Sequence, residues 1–153
     1  MVTPCRATLN DIAALVELMR EFYAESGLSL DQDWAAESFR ALLDDDTRGA
    51  VWIVNGDDTP VGYIVLTVRH SMEYGGLDGF IDDFYVRPAF RRQGLGQSAV
   101  DALLAEAAQR GLKALHVEAA RDKTAARELY DRLGFKPTDP NRVMLTRLLQ
   151  AQS

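Results

Sequence analysis

A chain of 153 residues with 47% hydrophobic and 26% charged residues is long enough for a buried core and too apolar for a disordered tract. Its net charge of −6 argues against duplex nucleic acid as a partner, because phosphate binding needs a basic face, and no apolar run reaches the roughly 18 residues of a membrane span. The single cysteine, Cys5, allows no internal disulfide, and with only His70 and His116 beside it no Cys/His zinc cluster can form, so no metal site is expected.

Residues 2–7 read as a short first strand, with Cys5 as a small apolar filler. The opening residues lack the apolar stretch of a signal peptide, so a cytoplasmic protein is expected. Thr8 and Asp11 have capping-box spacing. Ile12, Leu15, Val16, Met19, Phe22 and Tyr23 then recur at helical spacing up to Gly27. A second helix opens near Asp31 or Asp33 and carries Trp34, Phe39, Leu42 and Leu43. Strands are predicted at 50–55 and 61–70, joined by a turn at Gly56–Pro60, and a fourth at 78–86 after Gly75-Gly76. A third helix spans 94–110, a fifth strand 113–119, and a fourth helix, capped by Asp122, ends at Gly134. Residues 135–137 and 142–149 read as two final strands. The order is mixed α/β in one domain, 1–153, with hairpins first and a parallel β-α-β unit near residues 80–119.

Residues 84–96 are the most informative stretch. A strand is stopped by Pro88, a basic turn follows, and two glycines open a helix. The first amides of a helix lack internal partners, and the helix dipole adds positive potential there, so this junction is a socket for phosphate. Arg91 and Arg92 strengthen it. Gly94-Leu95-Gly96-Gln97-Ser98-Ala99 also fits a dinucleotide fingerprint. That reading is disfavoured: the loop at 88–93 separates the strand from the glycines, and several elements come earlier in the chain.

Arg91-Arg92-Gln93-Gly94-Leu95-Gly96 resembles the pyrophosphate loop of the GNAT superfamily of N-acetyltransferases. Ala126-Arg127-Glu128-Leu129-Tyr130, followed by Leu133-Gly134-Phe135, resembles that superfamily as well, and so does the element order over nearly the whole chain. The resemblance implies a GNAT-like fold: a central mixed sheet of about seven strands, four helices, and strands four and five splayed apart. It implies acetyl-CoA as cofactor, with its pantetheine arm along the backbone of Phe84, Tyr85 and Val86. The pyrophosphate is then expected on the loop Arg91, Arg92, Gln93, Gly94, Leu95, Gly96 and Gln97. Where the family often has Asn, this chain has Lys123, which cannot accept a hydrogen bond; it is a candidate contact to a cofactor phosphate or carbonyl.

Tyr130 matches the family tyrosine that protonates the leaving thiolate. Two carboxylates compete for the proton of the amine. Glu118 resembles the strand-five glutamate of the ribosomal-protein alanine acetyltransferases. Asp82, in Ile81-Asp82-Asp83-Phe84-Tyr85-Val86, is similar to the strand-four acid of the spermidine/spermine acetyltransferases. In a regular strand Asp82 and Asp83 point to opposite faces. Tyr23, Trp34, Glu73, Tyr74 and Asp78 are acceptor-side candidates by position, while His70 and His116 read as packing or solvent histidines. The expected acceptor is a primary amine on a small cationic molecule. A peptide N-terminus, or a CoA-binding regulatory module without turnover, are the alternatives. Dimers are common in the family, so a homodimer stays open.

Overall fold

The structure, a computed structural model, describes residues 3–150. They form two compact units, residues 1–117 and 118–153, taken separately below.

The first unit is built on a five-stranded sheet in chain order: β1 (Cys5–Arg6), β2 (Gly49–Gly56), β3 (Thr59–Ser71), β4 (Gly76–Val86) and β5 (Leu115–Val117). All neighbours are antiparallel except β4 and β5, which are parallel. Helices α1 (Ile12–Glu25) and α2 (Gln32–Leu43) cover one face, and α3 (Leu95–Gln109) packs on β2, β3 and β4. Both early helix starts are set locally. The Thr8 amide donates to Asp11 at 2.8 Å, closing the expected capping box, and Asp31 accepts from the amides of Asp33 and Trp34 at 3.0 and 3.1 Å. Leu15, Leu18, Met19 and Phe39 close over Val51, Ile53, Tyr63 and Val65 in a core that excludes water. Cys5 departs from its expected role: it is exposed, because the two-residue β1 leaves it outside that core. Val2, the first residue of the expected strand, lies outside the described residues.

Two irregularities of β4 position the site. Opposite β3 the register runs Val65↔Asp83 and then Leu66↔Ile81, so Asp82 is the extra residue of a β-bulge. Pairing to β5 covers only Gly79↔Leu115, Phe80↔His116 and Ile81↔Val117. Within this unit the outer edge of β4 beyond Ile81 therefore has no strand beside it, which is the expected parting of strands four and five.

In the second unit, α4 (Thr124–Arg132) starts at Lys123, with no side chain capping it; the expected cap by Asp122 does not form. Its end explains the Tyr-x-x-x-Gly-Phe spacing. Gly134 turns left-handed at φ +92°, its amide bonds the carbonyl of Asp131, and the Phe135 amide bonds that of Tyr130. The Tyr130 and Phe135 rings then meet edge to face at 5.7 Å. This is a Schellman ending with its apolar contact. The two expected final strands are absent: residues 135–150 form no regular structure, so the sheet has five strands rather than about seven. Pro137 and Pro140 each remove a ladder donor, and Val143, Met144, Leu145, Leu148 and Leu149 are exposed with no strand to pair with. No helix among the described residues is long and apolar enough to cross a membrane.

Candidate active site

The phosphate socket forms as its residues require. Gly94 caps α3 in the left-handed region at φ +81°, where a side chain would be strained. No side chain caps the helix and its first turn holds no acid, so the positive end of α3 is left uncompensated. Arg92 is exposed and also left-handed, at φ +63°, a conformation costing a non-glycine residue about 1 kcal/mol. Arg91 makes contacts within the fold that its loop sequence does not show. Its Nε donates to the Val86 carbonyl at 2.8 Å, its Nη2 to Glu25 at 2.7 Å, and its guanidinium lies 5.7 Å from the Tyr85 ring centre. Arg91 thus latches the loop to α1 and β4, and it occupies the Val86 carbonyl. Arg87 adds a second latch through Glu21, at 2.9 and 2.7 Å. The residues present fit a pyrophosphate: free helix amides, an exposed arginine and a rigidly anchored loop.

Past the β5 pairing, α1, α2, β3 and β4 enclose a cleft of about 460 Å³. Tyr23, Trp34, Phe39, Arg48, Asp82 and Asp83 are among its walls. The bulge brings both aspartates to this cleft, overturning their expected separation onto opposite faces. Asp82 is exposed and Asp83 half-buried. Asp83 accepts a 3.0 Å hydrogen bond from the hydroxyl of Tyr63, which is fully buried. Burial pushes the Asp83 carboxyl up to about 6; the Tyr63 bond pulls it down and the charge of Asp82 pushes it up. Burial raises the Tyr23 phenol too, with Asp83 and Asp82 adding to the rise. Sequence reasoning missed Asp83 because the bulge that turns it inward leaves no local signature.

The other acceptor-side candidates divide. Tyr23 and Trp34 line the cleft. Asp78 is fully buried, held by Arg69 at 2.9 and 3.1 Å and by His116 Nε2 at 2.8 Å, and Arg69 followed by His116 holds its carboxyl below the usual range. Asp78 is therefore a structural anchor, and His116 packs between Phe80 and Tyr74. A hollow of about 530 Å³ beside β1 is larger than the cleft, yet the charges of Arg6 and Asp46 on its rim already pair with each other at 2.8 Å. In the second unit, burial pushes the Tyr130 phenol up to about 12, so it holds its proton at neutral pH. Glu118 is exposed at the start of that unit, and Lys123 is exposed at the head of α4.

Residues 12–135 match the model of the acetyltransferase (GNAT) family. Among solved structures, the chain is similar to an integron cassette protein from the mobile metagenome of Cole Harbour Salt Marsh. The identity is 39% over 98% of this chain and 92% of that one, with a TM-score of 0.88. It shares its fold with an aminoglycoside N-acetyltransferase, AAC(6')-Iy, in complex with CoA (18% identity, 96% and 94% covered, TM-score 0.81). It also shares it with a ribosomal-protein-alanine N-acetyltransferase from Brucella melitensis biovar Abortus 2308 (23% identity, 95% and 100% covered, TM-score 0.74). Comparison with curated proteins finds no match. With the family model spanning the cleft, the phosphate socket and α4, the chain belongs to the GNAT family of acetyltransferases, whose acetyl donor is acetyl-CoA.

Proposed function

We propose that this chain transfers an acetyl group from acetyl-CoA to a primary amine on a small cationic molecule, with residues 1–153 acting as one catalytic domain. The observation that carries the acceptor class is the cleft: two carboxylates on one bulge, faced by Tyr23 and Trp34. Aromatic faces and carboxylates together favour a cation. Arg48 is the opposing charge in the lining, and it is paired with Asp45 at 3.3 Å. The family match supports the donor, and its span across both units supports a single domain.

Acetyl-CoA, when bound, supplies an acyl group activated as a thioester. Gly94, Leu95, Gly96 and Gln97 would hold its pyrophosphate with backbone amides, helped by Arg91, Arg92 and Gln93; Lys123 is a separate candidate for a cofactor phosphate or carbonyl. The pantetheine arm of the cofactor would run along the backbone of Phe84, Tyr85 and Val86, where Arg91 already holds the Val86 carbonyl. An alkyl ammonium has a pKa near ~10, so only about 0.1% is unprotonated at neutral pH and a carboxylate must take its proton. Asp82, Asp83 and Glu118 are the carboxylates available. Tyr130 holds a proton for the leaving thiolate, and its raised pKa keeps it there.

The experiment is acetyl-CoA-dependent thiol release with a panel of polyamines, diamines, aminoglycosides, amino acids and short peptides. Release with polyamines, diamines or aminoglycosides is expected. Release only with peptides would replace the small-cation acceptor by a peptide N-terminus. Silence throughout, with acetyl-CoA still raising Tm, would leave a CoA-binding module without turnover.

A further inference from the structure

We infer that Asp83 is the residue that takes the proton from the acceptor amine, and that Tyr63 is the positioning residue that fixes it. The assignment rests on the acetyltransferase reading above. Asp83 accepts a hydrogen bond from a fully buried donor, the Tyr63 hydroxyl at 3.0 Å. The bulge at Asp82 turns Asp83 into the cleft, and Tyr63, opposite Tyr85 in the ladder, sits one step deeper along the same face. Tyr63 is itself immobilised: its ring meets Phe39 at 5.9 Å and Phe22 at 6.5 Å, both edge to face. A carboxylate tied to a fixed donor holds one orientation, as proton transfer requires. Asp82 is exposed at the crest of the bulge and lacks that burial.

The charged and titratable groups around Asp83 come from every wall. Tyr63 faces it from β3, Asp82 from β4, Tyr23 from α1 and Arg48 from the start of β2, while Ser38 is the polar contribution of α2. The net effect is a carboxyl raised to about 6 by burial, close enough to neutrality to accept and then release a proton. The proton balance closes. The ammonium gives one proton to Asp83, which passes it to solvent. The nitrogen–carbon bond forms as the carbon–sulfur bond breaks, and the second nitrogen proton ends on the thiol.

Tyr63 and Asp82 act on Asp83 with opposite sign, which makes the test specific. In the cofactor-free protein, carboxyl carbon NMR follows the Asp83 titration, assigned by its loss in Asp83→Asn. Tyr63→Phe removes a bond to the charged form and should move that titration up by about one pH unit; Asp82→Asn removes a like charge and should move it down. The acid limb of kcat/KM should follow both shifts, and Asp83→Asn should abolish the limb and lower turnover by about 100-fold or more. An acid limb that survives in Asp83→Asn and vanishes in Asp82→Asn or Glu118→Gln overturns the assignment while leaving the enzyme reading intact. No turnover with any amine removes that reading and this assignment together. If Tyr63→Phe fails to fold, the downward shift in Asp82→Asn, seen by NMR and by kinetics, decides alone.

Discussion

The fold favours the acid form of Asp83 over its carboxylate, and that has a measurable thermodynamic consequence. Its carboxyl sits at about 6 in the fold against an ordinary 3.8, so the folded state disfavours the carboxylate. The stability associated with the protonated form is fully present below the unfolded value and is lost as pH rises through the folded one. The difference of about 2 pH units corresponds to an upper bound of about 3 kcal/mol at 1.36 kcal/mol per unit. Asp83 is only half-buried, so solvent screening reduces this to about 1–2 kcal/mol. Asp83→Asn keeps an oxygen to accept from Tyr63 and removes the charge. The variant should be more stable than the wild type by that amount at pH 8, or roughly 3–6 °C in Tm for a chain of this size. The excess should halve near about pH 5 and nearly vanish by about pH 4. Urea denaturation followed by tryptophan fluorescence at several pH values measures it. Any constant cost or gain of the amide cancels, because only the change of the difference with pH reports the Asp83 titration. A stability difference between variant and wild type that stays flat from pH 4 to 8 refutes the claim that Asp83 is held as a raised acid.

Gly94→Ala places a methyl group in open space but at φ +81°. It should cost about 1 kcal/mol in stability and lower acetyl-CoA affinity tenfold or more, read as a diminished thermal shift on adding acetyl-CoA; an undiminished shift would move the phosphates away from this turn. Asp78→Asn leaves Arg69 and His116 facing a neutral group and should destabilise by about 2 kcal/mol, a discounted figure because Arg69 is half exposed. Since the Asp78 carboxyl is held low, that loss should be full at neutral pH and shrink as pH falls through its lowered value, which urea titrations at two pH values check. Tyr130→Phe should lower turnover at least tenfold without changing acetyl-CoA binding; full activity across pH would remove Tyr130 as the acid.

What the sequence made legible follows the range of the interactions involved. The capping box of Thr8 and Asp11, the Asp31 cap and the Gly134 ending are each settled within about six residues, and each appears where the spacing places it. The Gly94 turn is local in the same way. The failures are non-local. An apolar-rich run such as residues 142–149 forms a strand only if a neighbouring strand offers donors and acceptors, and pattern alone cannot supply one. Arg91 reads as a phosphate ligand in its loop, and nothing local in the sequence shows that Glu25, 66 residues earlier, pairs with it in the fold. Asp122 fails as a cap for a smaller reason, the helix beginning one residue later than its spacing implies.

The bulge on β4 links these levels. A regular strand through residues 78–86 would show the cleft one aspartate and turn the other away. One extra residue opposite Val65 and Leu66 breaks the alternation where pairing with β5 stops. Three properties then coincide along five residues: an open strand edge, two carboxylates on one side, and a strand bent away from its neighbour. The charge of Asp82 disfavours that of Asp83, and among the described residues no cation forms an ion pair with Asp83. A cationic acceptor entering the cleft would relieve that repulsion, so binding and proton loss draw on the same strained pair. The site's charge is therefore best matched to an amine that arrives protonated and leaves neutral.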